Sequence, residues 1–189
     1  MRSASIQVAL AAAFLAAMQS LSRAADEPAA TPSPAAPVAP LTMLPDSLED
    51  EKPLFSEADS VALAGYRLDD ARLARFEVVI AAMDAQAKND EALRTELEHD
   101  ESKTDGIDRF VESIEKDKPK MLAIIKSAGM TPREFVMTSF SLTLAMVYAD
   151  LLRVQPATPL PEYVVRENVG FVRKNEERLA KLFEALNHN

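Results

Sequence analysis

The chain has 189 residues, two histidines, no cysteine, no tryptophan and a formal net charge of −9. Without cysteine it forms no disulfide, thiolate nucleophile, iron–sulfur cluster, zinc finger or covalent c-type haem. Its acidity argues against a phosphate-backbone partner, so no nucleic acid is expected.

Residues 1–24 read as a secretory signal peptide. Arg2 precedes the apolar run Ile6–Met18, and Ser22 and Ala24 place small residues at −3 and −1 of a cut before Ala25. The run is shorter than the ~20 residues that a spanning helix needs. A periplasmic or secreted location follows, with no integral membrane segment after cleavage. Removing Arg2 and Arg23 leaves 19 basic against 30 acidic residues, a net charge of −11.

Residues 25–53 read as a disordered Pro/Ala-rich linker with an acidic lead-in. Pro28, Pro32, Pro34, Pro37, Pro40 and Pro45 fix φ and remove donors, which favours an extended tether. The domain is expected over 54–189, where apolar residues recur at helical spacing and no alternating β-branched run occurs. The expected fold is all-α, a compact bundle of about five helices.

Asp69 suits the N-cap of a helix over 70–88, in which Leu73, Phe76, Ile80, Met83 and Ala87 follow at steps of 3, 4, 3 and 4. Asp90–Thr104 has only Leu93 and Leu97 as large apolar residues, so a solvated helix frayed at its C-terminal end is expected. Asp105 can cap a helix that places Ile107, Phe110, Val111 and Ile114 on one face. Pro119 suits the first turn of the next, with Met121, Ile124, Ile125 and Ala128 as its stripe. The stretch 107–128 should pack as a bent pair.

Gly129 falls where a left-handed C-terminal residue belongs. Thr131 and Glu134 have the spacing of a reciprocal capping box, Pro132 fits the first helical position, and Met130 and Phe135 can staple across the cap. The helix that starts there runs to about Val154. Phe135–Ala149 carries no charge, so this helix should be central and buried on most sides. Gln155–Pro161 breaks the chain. A last helix over 162–186 carries Val165, Val169, Val172, Leu179, Leu182 and Leu186, with Asn168 and Asn175 as possible interruptions. With Asn168 as N-cap it would begin later.

Candidate chemistry is sparse. Glu96 and His99 have the ExxH spacing of carboxylate-bridged di-iron bundles, but a second such motif is missing and a solvated face is the better reading. Glu101, Asp105, Gly106 and Glu112 imitate a calcium loop, with Lys103 where an oxygen ligand is needed. The segment 84–117, with twelve acids against five bases, suits loose divalent-ion association better. Noncovalent haem ligation would pair one of Met83, Met121, Met137 and Met146 with a histidine, though methionines at helical spacing usually fill core gaps. There is no nucleophile elbow, no Ser/His/Asp arrangement and no phosphate-cradling loop. No catalytic residue, metal ligand or cofactor is assigned.

Ala128-Gly129-Met130-Thr131-Pro132-Arg133-Glu134-Phe135-Val136, followed by Asn168-Val169-Gly170-Phe171-Val172, resembles a pattern of small exported bacterial helical proteins. Gly170 stands where that pattern has a larger residue. The resemblance spans about Leu63–Leu186 and implies an exported helical domain; it brings no activity, cofactor or catalytic residue. Structurally, Gly129 ends a helix, Thr131 and Glu134 cap the next, and Asn168 caps or cross-links the last. Glu134, Tyr148 and Asn168 form the candidate ligand site. The expected role is noncatalytic binding of a partner protein or small apolar ligand in the cell envelope. The alternatives are a metal- or haem-binding bundle and an enzyme using carboxylate acid/base chemistry.

Overall fold

The computed structural model describes residues 55–98 and 106–187. Among them are eight helices and no strand: α1 Glu57–Gly65, α2 Asp70–Ala87, α3 Glu91–Glu98, α4 Ile107–Asp117, α5 Pro119–Ser127, α6 Pro132–Val154, α7 Arg166–Lys174 and α8 Glu176–Asn187. The class is all-α as expected, but the helix count is eight, not about five.

Two features raise the count. Helix α1 was not expected, because it buries only Asp59 and Leu63 and so has no apolar stripe to read. Ser56 starts it by accepting from the Asp59 N–H at 3.1 Å. The expected last helix is two. The Asn175 N–H donates to both the Phe171 and Val172 carbonyls at 3.1 Å, while its Nδ2 donates to Phe171 O at 3.0 Å and its own carbonyl accepts from Leu179 N–H at 2.9 Å. Asn175 thus closes α7 and opens α8. Helix α7 begins neither at 162 nor at 168 but at Arg166, with Val165 as N-cap.

Helix α6 is the hub, packed against α7, α4, α2, α5 and α1. Leu73, Phe76, Ile80, Met83 and Ala87 of α2 are all buried, and Phe76 stacks on Phe135 of α6 with ring centroids 5.3 Å apart. Helices α4 and α5 form the bent pair, joined at Lys118 (φ −126°, ψ 63°), and pack on α6 together. Helix α3 buries both Leu93 and Leu97. Two buried leucines contribute about 3–6 kcal/mol. Ordering eight residues at ~1–2 kcal/mol each exceeds that, so α3 also needs the polar ties described below.

Candidate functional site

The candidate residues Glu134 and Asn168 meet in a polar cluster where α2, α6 and α7 converge. Asn168 lies in the first turn of α7 and is buried. Its Oδ1 accepts from the Leu68 N–H at 2.9 Å and its Nδ2 donates to Tyr66 O at 2.9 Å. An N–H on one side and a carbonyl on the other fix the amide's orientation. Asn168 therefore cross-links rather than caps: it pins the turn between α1 and α2 to α7.

Tyr66 carries the link onward. Its hydroxyl shares a 2.7 Å hydrogen bond with the Thr138 hydroxyl and donates to the Glu134 carbonyl at 3.4 Å. Burial is the main cause that pushes the Tyr66 phenol above its ordinary value, partly opposed by the Thr138 bond and the nearby Arg72. The Arg72 guanidinium lies 5.3 Å from the centre of the Tyr66 ring, a cation–π distance, and pairs with Asp69, the N-cap of α2.

Glu134 completes the cluster. The Thr131 hydroxyl accepts from the Glu134 N–H at 3.0 Å, so Thr131 caps α6 as expected, with Pro132 in its first turn. The reciprocal half of the capping box does not form. The Glu134 carboxylate instead accepts from Arg75 Nη2 at 2.5 Å, with Arg72 Nε 3.8 Å away. A guanidinium supplies a charge-assisted bond that a backbone N–H cannot match. Gly129 has φ +73° as the α5 terminator, and Asp69 accepts from the Arg72 N–H at 2.7 Å.

Tyr148 stands apart. It lies fourteen residues beyond Glu134, about 21 Å along the axis of α6 at 1.5 Å per residue. Burial, with Tyr163 beside it, pushes its phenol up to about 12. The three candidates thus do not form one site: Glu134 and Asn168 share a structural cluster, and Tyr148 belongs to another part of the core.

The remaining candidates have structural roles where they are described. The Glu96 carboxylate accepts from the N–H groups of Lys120 (3.0 Å) and Met121 (2.9 Å), which makes it the N-terminal cap of α5. Asp59, buried in α1, does the same for α4: its Oδ1 accepts from the Ile107 N–H at 3.2 Å. Glu112 pairs with Lys116. Met83, Met121 and Met137 are buried in the core, and Met146 is partly buried. Among the described residues no three His, Cys, Asp or Glu side chains converge as a metal site would require. His99, Glu101, Lys103, Asp105 and His188 lie outside the described residues.

Two surface features remain. An open groove of about 1120 Å³ runs between α2 and the α7–α8 joint, lined by Glu77, Arg173, Arg178 and Lys181. It is an ion-paired seam, because Arg178 grips both Glu77 oxygens at 2.7 Å. The second feature is apolar. Helix α6 is long and apolar enough to cross a membrane (mean hydropathy 1.6), and 56% of that apolar window is buried inside the fold. Part of the rest forms a stripe. Phe140, Thr143, Val147, Leu151 and Val154 follow at steps of 3, 4, 4 and 3; the first four are partly exposed and Val154 is 80% exposed.

Compared with known proteins, the chain matches no family model, no curated protein and no solved structure.

Proposed function

We propose that the protein is an exported, noncatalytic helical domain of the cell envelope that binds a partner protein or small apolar ligand through the open stripe of α6. The observation that carries this reading is that stripe. A helix otherwise packed as the hub of the core keeps Val154 at its end 80% exposed, with Phe140, Thr143, Val147 and Leu151 above it mostly covered but still partly accessible. Adjoining apolar side chains at helical spacing are what helix-in-groove and apolar-ligand contacts use. The candidate polar residues, by contrast, are engaged: Glu134 by Arg75 and Asn168 by two backbone groups. Export rests on the Arg2, Ile6–Met18 and Ser22-Arg23-Ala24 pattern and on the resemblance to small exported bacterial proteins.

The test is photo-cross-linking in cells, with a benzophenone side chain placed at Val154 or, as a control, at Val78 on α2, which is 56% exposed. The reading expects an adduct of increased mass from position 154 and none from position 78. Equal adducts from both, or none from either, would overturn it. Mass spectrometry of the same material should find the chain beginning at Ala25 in the envelope fraction; a chain beginning at Met1 in the cytoplasm refutes export.

A further inference from the structure

The chain carries more acid than base, yet the groove between α2 and the α7–α8 joint reverses the sign. Four cations line it: Arg173, Lys174, Arg178 and Lys181. Against them stand three acids, and two of these are already engaged. Glu77 holds Arg178, and Glu176 pairs with Arg153 from the end of α6. That leaves Glu177 against Arg173, Lys174 and Lys181, none of which forms an ion pair among the described residues. Arg173 is oriented all the same. Its Nη2 donates to the Ala149 carbonyl at 3.2 Å, which holds the guanidinium against α6 and leaves its other donors for a ligand. The groove also has an apolar part, formed by Ala81, Ala180 and Leu182.

We propose that this groove binds an acidic peptide segment of a partner protein. Its carboxylates meet Arg173, Lys174 and Lys181, and apolar side chains between them rest on Ala81, Ala180 and Leu182. A carboxylate gains charge-assisted hydrogen bonds from a guanidinium or an ammonium. The net charge of −9 does not forbid it. At physiological salt the screening length is ~8 Å, so an anion inside the groove feels the cations beside it rather than the distant acidic excess.

Size and openness decide between occupants. A volume of about 1120 Å³ exceeds the ~300–1,000 Å³ usual for small-molecule pockets, and an open groove lets a chain enter and leave at its ends. A membrane surface or a nucleic acid would bring its phosphates against the acidic remainder of the molecule as well, whereas a peptide enters the groove alone. None of the lining side chains belongs to the α6 stripe, and the two faces can be tested separately.

The probe is a fluorescein-labelled peptide of sequence Glu-Leu-Glu-Glu-Leu-Glu, followed by anisotropy against the purified full chain at ~0.15 M salt. Saturable binding is expected, with amide signals of Ala81, Lys174 and Lys181 shifting in the complex. Lys174→Glu with Lys181→Glu should weaken it at least ~10-fold. Arg109→Glu with Lys126→Glu makes the same charge change at exposed positions on α4 and α5, and should leave binding within about twofold. Lys174→Arg with Lys181→Arg should retain it, and circular dichroism should show every variant folded. No saturable binding at up to ~1 mM chain overturns the proposal. So does equal weakening by the two glutamate pairs, which means attraction to the chain's cations in general. Sedimentation of the chain with phosphatidylglycerol vesicles while the peptide stays free also overturns it, since the groove would then serve an anionic membrane surface.

Discussion

At the scale of single residues, Asn168, a candidate ligand residue, holds backbone instead. Replacing Asn168 with alanine leaves the Leu68 N–H and the Tyr66 carbonyl without their partner inside the fold. Two orphaned buried groups should cost about 2–5 kcal/mol, read as a lower urea midpoint. Asn168→Asp should not rescue it, because a carboxylate sets an acceptor against the Tyr66 carbonyl. Two glycines separate backbone strain from crowding. Gly129 (φ +73°) has open space, the nearest atom to an added Cβ being Arg75 Cδ at 3.8 Å, so Gly129→Ala should cost ~1–2 kcal/mol. Gly106 (φ +101°) has Asp59 Oδ2 at 2.9 Å, so Gly106→Ala must also displace the carboxylate that caps α4. Its melting temperature should fall further than that of Gly129→Ala. Tyr148 sets an alkaline limit. Its folded phenol is pushed from 10.0 up to about 12, so the neutral form stabilises the fold fully below pH 10 and that contribution is lost as pH rises towards 12. Tyrosinate absorbance should lag that of free tyrosine over this window, and Tyr148→Phe should flatten the loss of stability across it.

At the scale of elements, the fold is held by caps of two kinds. Local ones were legible in the sequence: Asp69, Thr131 and Pro132 lie within three residues of the N–H groups they serve or spare, and Gly129 directly follows the turn it ends. The stripe of α2 and the uncharged run of α6 were legible for the same reason, since both are short-range signals. Borrowed caps were not. Asp59 serves a helix 48 residues on and Glu96 one 24 residues on, while Asn168 reaches back 100 residues. No local spacing encodes such pairs. The sequence spacing of Glu96 to His99 has no bearing on its bond to Lys120 and Met121. Helix α1 is not legible in the sequence, because its single buried leucine leaves nothing periodic. Glu96→Ala should cost ~1 kcal/mol and speed amide exchange at Lys120 and Met121, with little change at the start of α6, whose cap is its own.

At the scale of the whole molecule, the acidic excess is spent on helix starts and on pairs between elements. Arg178 ties α8 to α2 through Glu77 and Asp70, and Arg153 joins the end of α6 to Glu176. The Glu77 pairing holds the Arg178 guanidinium above its ordinary range. Both partners remain about a third exposed or somewhat less, so a double-mutant cycle on Arg178 and Glu77 should give ~0.2–1 kcal/mol of coupling, shrinking as salt is added. The borrowed caps reach further, into the order in which the chain acquires structure. A helix whose first N–H groups are satisfied from a distant segment nucleates poorly alone, because nucleation is already its costliest step. A synthetic peptide of residues 106–128 should therefore be far less helical than one of residues 130–154, which carries Thr131 and Pro132 with it. In refolding, α4 and α5 should gain amide protection only after α1 and α3 have docked, so the middle of this chain waits for its flank.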